Sequence, residues 1–132
     1  MVDRARFPFR MVVAVIGALL AAGCARQADW YPIETAAVGS DGRTITAEIV
    51  TGKPGSDGKF CEEVTGTEVS ESAKQVVLGI KARNNCEPLF PWEHGIDSTY
   101  IGYGRRYQFH LKSPLAGRQL LDQATQQGVP IF

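Results

Sequence analysis

From residue 43 onward the chain repeats one pattern. Apolar side chains alternate with polar ones at period two, and no long 3.6-residue period occurs anywhere after Cys24. In Arg43-Thr-Ile-Thr-Ala-Glu-Ile-Val50, Ile45, Ala47 and Ile49 fall on one side and Thr44, Thr46 and Glu48 on the other. Successive side chains of a strand point to opposite faces, so this is a half-buried strand. Lys74–Arg83 carries the strongest such signal, with Val76, Leu78, Ile80 and Ala82 facing one way. Cys61–Ser70 is a partner strand with Val64 and Val69 as inward candidates, and Glu71-Ser72-Ala73 is the hairpin turn between the two. Alternation resumes at Arg106–Lys112, where Tyr107, Phe109 and Leu111 point inward. Gln119–Asp122 is a short strand, and Val129–Phe132 is an edge piece that tolerates Pro130 because an edge needs no N–H there. The expected fold is all-β: a small antiparallel β-sandwich or barrel of five to six short strands over residues 42–132.

The N-terminus obeys different rules. Arg4, Arg6 and Arg10 precede an apolar run of 12 residues, Met11–Ala22, which ends in Ala21-Ala22-Gly23-Cys24. A helix needs about 20 residues to cross a bilayer, so this run is too short to be a permanent span. A basic head, a short apolar stretch and small residues before a cut describe a signal peptide. No Arg-Arg pair marks the twin-arginine route, which leaves the general secretory one.

Ala21-Ala22-Gly23-Cys24 resembles the lipobox of bacterial prolipoproteins. The resemblance implies cleavage of residues 1–23 and a diacylglyceryl group, with palmitate-type acyl chains, on the Cys24 sulfur. It places the chain on the extracytoplasmic face of the cell membrane. One acyl chain binds a bilayer only marginally, whereas two hold it stably. Residues 24–41 are expected to be the lipidated start and a flexible tether, because Gln27, Asp29, Pro32, Gly39, Ser40 and Asp41 interrupt any regular period. Within it, Trp30 and Tyr31 either reach the bilayer interface or pack on the domain.

The resemblance also bears on charge and cysteines. Residues 1–23 hold three of the 14 basic residues and one of the 14 acidic ones, so the mature chain carries a net −2. There is no basic face for nucleic acid and no polybasic block for anionic lipid, which leaves membrane attachment to the lipid. An exported location permits oxidation, so Cys61 and Cys86 are expected to pair; two free thiols or a metal site are the alternatives. The strand pair between these cysteines, followed by Ser113-Pro-Leu-Ala-Gly-Arg118 and Leu121-Asp122, resembles small uncharacterised lipoproteins and secreted proteins of high-GC Gram-positive bacteria. In those the bend reads Pro-Leu-Gly-Gly-Arg or similar, with Ala116 here in one glycine place. The likeness implies no activity.

Catalytic patterns are absent from the sequence. No G-x-S-x-G occurs, Glu62 and Glu63 are strand neighbours pointing apart, and Gly102-Tyr-Gly104 has no phosphate-loop context. His110 falls on the polar side of its strand. Glu93, His94 and Asp97 are too close in sequence to converge on one metal ion, and neither a metal nor a cofactor is expected. The remaining candidate is the Cys86–Tyr103 loop, with Phe90, Trp92, His94, Tyr100 and Tyr103 as a contact surface or as a plug for the end of the sandwich. The expected role is a non-enzymatic interaction or envelope-associated module with a possible protein partner; a carrier for a small ligand is the alternative.

Overall fold

The computed structural model describes residues 26–86 and 102–132. Among these residues seven strands form in chain order: β1 (Asp29–Trp30), β2 (Thr35–Val38), β3 (Thr44–Thr51), β4 (Glu62–Glu71), β5 (Gln75–Asn84), β6 (Tyr103–His110) and β7 (Gln119–Asp122). The described residues contain no helix, and the strands form two sheets in a small sandwich-like arrangement with no closed barrel. One sheet runs β2-β3-β6. The other is built on β5, which has β4 along one edge. Its second edge is shared, with β1 opposite Lys81 and Ala82 and β7 opposite residues 75–78. All pairs are antiparallel except β5–β7, which is parallel.

The alternation translates directly into the core. Ile45, Ala47 and Ile49 of β3 and Val76, Leu78 and Ile80 of β5 are fully buried, and Phe109, Leu111, Leu115 and Leu120 close around them. Burying one such side chain contributes about 1.5–3 kcal/mol, so these two strands carry a large share of the apolar stabilisation. Val64 packs partly against the core, but Val69 does not: it is 39% exposed although it shares a face with Leu78. β4 is an edge strand, and nothing among the described residues closes over its outer half.

The expected tether is the main correction. Residues 29–38 do not hang free but supply β1 and β2 and cross from one sheet to the other. The ring of Trp30 lies on Gly79, where an added Cβ would come within 2.5 Å of it, and Lys81 Nζ sits 4.6 Å from the ring centroid. Tyr31 donates its N–H to the Ile80 carbonyl and its hydroxyl to the Val50 carbonyl, so it bridges the two sheets. Both aromatics therefore pack on the domain. At the crossing, Ile33 N–H donates to Asp122 Oδ2 at 2.9 Å. Asp122 is 2% exposed, and Oδ1 also accepts the Ala124 N–H. β2 then turns into β3 through Asp41, whose carboxylate accepts the N–H groups of Arg43 and Thr44, and through Gly42 at φ 69°. The C-terminal residues run beside β2: Ala36 N–H donates to the Pro130 carbonyl and Phe132 N–H to the Ala36 carbonyl.

At one end of the sandwich the bend Ser113–Arg118 wraps the guanidinium of Arg118. That group donates to Glu71 Oε1 at 3.2 Å and to the carbonyls of Ser72, Ser113, Pro114 and Leu115. The Lys112 N–H holds the Glu71 carboxyl below its ordinary range; partial burial opposes this, and the Ser113 N–H and Arg118 add to it. Asp41 is lowered likewise by the N–H groups of Thr44 and Arg43. The bend is tight enough to force Ala116 to φ 49°, in the left-handed region.

Two outcomes follow from this geometry. Replacing Ala116 by Gly removes the steric cost of the left-handed conformation and raises the unfolding free energy in urea by about 0.5–1 kcal/mol, after glycine's own entropy cost. In acid, the unfolded chain takes up protons at Glu71 and Asp41 before the folded one does, so stability declines as pH falls below about 4.5. That decline, followed by urea midpoints across pH 3–6, is shallower in Glu71→Gln and Asp41→Asn.

Candidate functional site

The opposite end of the sandwich is organised by the Cys61–Cys86 disulfide. The two Cα atoms are 5.1 Å apart across the open end of the β4–β5 hairpin, just beyond the Glu62–Asn84 pair. Asn85 N–H donates to the Cys61 carbonyl, and Cys86 N–H to Asn84 Oδ1, which fixes the entry and exit of the hairpin. Closing a loop of 25 residues contributes about 3.5 kcal/mol through the denatured state on the chain-entropy account.

Beside the bridge lies a cluster of rings around one arginine. In β6, Tyr103, Arg105, Tyr107 and Phe109 pair with Thr51, Ile49, Ala47 and Ile45 of β3. Cross-strand partners share a face, so Arg105 stands at a core-facing position beside the fully buried Ile49. Its guanidinium carbon is 4.0 Å from the Phe60 ring centroid and 5.8 Å from that of Tyr107, and Nη1 donates to the Glu62 carbonyl at 2.7 Å. Phe60 in turn packs on Tyr103, with centroids 5.4 Å apart at 55°. A planar, weakly hydrated cation tolerates this setting where an ammonium would not.

Phe60, Arg105 and Tyr107 line an open cleft of about 470 Å³ between the sheets, walled also by Glu62, Glu63 and Val64. Its polar groups are only partly satisfied. Asn85 Nδ2 donates to Glu63 Oε2 at 2.8 Å, and Arg83 Nε lies 3.7 Å from the same oxygen. Among the described residues, the buried atoms Glu62 Oε2 and Arg83 Nε have no hydrogen-bond partner. The cleft thus presents aromatic faces beside a guanidinium that a backbone carbonyl already clamps.

Of the residues singled out in the sequence, Cys61 and Cys86 are joined. Tyr103 opens β6 and is 44% exposed against Phe60. His110 is exposed near the end of the same strand. Cys24, Phe90, Trp92, His94 and Tyr100 lie outside the described residues. Arg105 and the inward use of Tyr103 are not signalled by a strand starting at Arg106, because β6 begins at Tyr103; Phe60 lies in the loop before Cys61, outside any alternation. The signal was present: continuing the inward phase of Phe109 and Tyr107 by one more step lands on Arg105, a charge at a core-facing position. Comparison with protein-family models, curated proteins and solved structures found no match.

The cluster gives a measurable contrast between two adjacent arginines. Arg105→Ala strips the cover from Phe60 and lowers the unfolding free energy by about 1–2 kcal/mol. Arg106→Ala removes an exposed pair with Glu48, 3.0 Å apart with the arginine side chain 75% exposed. It changes stability by no more than about 0.5 kcal/mol in the same urea titration.

Proposed function

We propose that the chain is a lipid-anchored extracytoplasmic module that works by contact rather than by catalysis, with the cleft at its disulfide end as the contact surface. The Cys61–Cys86 bridge carries this reading, because disulfides persist in oxidising compartments and are rare in reducing ones. It agrees with the export signal at residues 1–23 and with Cys24 as the acylated residue. The membrane address is then the outer leaflet of the cytoplasmic membrane, and the partner another envelope protein.

The alternative role, a small-ligand carrier, is narrowed by the packing. The space around β3 and β5 is filled by buried apolar side chains, so a carried ligand would sit in the Phe60–Arg105–Tyr107 cleft and not deep between the sheets. Ligand and protein partner thus compete for one surface.

Expressed from its full reading frame in a lipoprotein-processing bacterium, the protein incorporates palmitate, and Cys24→Ala abolishes the incorporation. Purified protein that retains residues 1–23, or that starts elsewhere without acyl mass, sinks the anchor. Envelope partners cross-linked to the wild type are lost from Tyr103→Ala at unchanged stability; an unchanged set removes the cleft from the contact surface.

A further inference from the structure

Because residues 29–38 belong to the sandwich, the segment that joins it to Cys24 is short. β1 starts at Asp29, and the residues after it are fixed to both sheets by the Trp30 ring on Gly79, by Tyr31 and by the Ile33–Asp122 bond. Five peptide units separate Cys24 from Asp29. A fully extended chain advances at most about 3.6 Å per residue, so the two Cα atoms cannot be more than about 18 Å apart. A domain of this length has a radius of gyration of about 13 Å, so the reach is shorter than the domain is wide.

The register states which end is held. Asp29 pairs with Ala82, next to Arg83, Asn84 and the disulfide, while Gln75 and the Ser72 turn close the other end of the same strand. From Ala82 to Gln75 along β5 is about 23 Å at 3.3 Å per residue. Gly42, Pro114 and Arg118 belong to that far end, since Leu115 N–H donates to the Gly42 carbonyl and Arg118 to Ser72. Thr51 opposite Tyr103 belongs to the near one.

We propose that the disulfide end of the sandwich lies against the bilayer, with lipid headgroups as its neighbouring surface, and that the Glu71–Arg118 end points away. This rests on the acylation of Cys24. The ring-and-arginine cleft then opens at headgroup level, and whatever enters it must itself reach the membrane surface.

The test uses the acylated full chain in phosphatidylcholine–phosphatidylglycerol nanodiscs carrying a gadolinium-chelate headgroup lipid, read by amide line broadening. Broadening is several-fold stronger at Asp29, Asn84 and Tyr103 than at Gly42, Ser72 and Arg118. A long Gly-Ser insertion between Gln27 and Ala28 flattens that gradient. Equal or reversed broadening in protein whose mass shows acylated Cys24 overturns the orientation and leaves the anchor standing. A gradient that survives the insertion overturns the short reach as its cause. Absence of acyl mass on Cys24 overturns the anchor, and the orientation falls with it.

Discussion

A single buried carboxylate holds the crossing on which the two-sheet arrangement depends. Asp122 ends β7 on one sheet and accepts the Ile33 N–H just before β2 begins on the other. Without that acceptor the crossing segment would leave a backbone donor unsatisfied inside the core, a penalty of about 1–3 kcal/mol. The same carboxylate also accepts from Ala124, so the tight turn after β7 and the sheet-to-sheet crossing share one anchor. The order of elements follows. β1 and β7 divide one edge of β5 between them, and β2 is delivered beside β3.

The two ends of the sandwich each place an arginine under cover, and solve its solvation differently. Arg118 is surrounded by backbone carbonyls and the Glu71 carboxylate, with 12% of its side chain exposed. Arg105 has one carbonyl and two ring faces. Arg118 thus donates to five acceptors, whereas Arg105 donates to one, the Glu62 carbonyl, among the described residues. That contrast is the reason the contact surface is proposed at the disulfide end.

Much of the fold was legible in the residues. The alternation in β3 and β5 named the buried positions one by one, and the β4–β5 hairpin brought Cys61 to Cys86. Legibility failed where the local signal was weak or shared. Thr35-Ala-Ala-Val38 is too short and too small to announce a strand, yet Asp41-Gly42 after it is a strong hairpin mark. Val69 has the right phase for burial, but phase cannot say that a strand lies at an edge. The first three residues of β6 give no strand signal of their own, because Gly104 between Tyr103 and Arg105 imitates a loop.

What the sequence determined by itself is periodicity: which side chains share a face, that sheets and not helices form, and which cysteines face each other across a hairpin. These depend on neighbours one to a few positions away. Only the tertiary structure decided that residues 29–38 belong to both sheets, that β7 joins β5 in parallel, and that Arg105 meets Phe60 beside the disulfide. Those contacts join residues tens of positions apart, and their energy comes from a shared core and a shared carboxylate, neither of which exists until the two sheets meet.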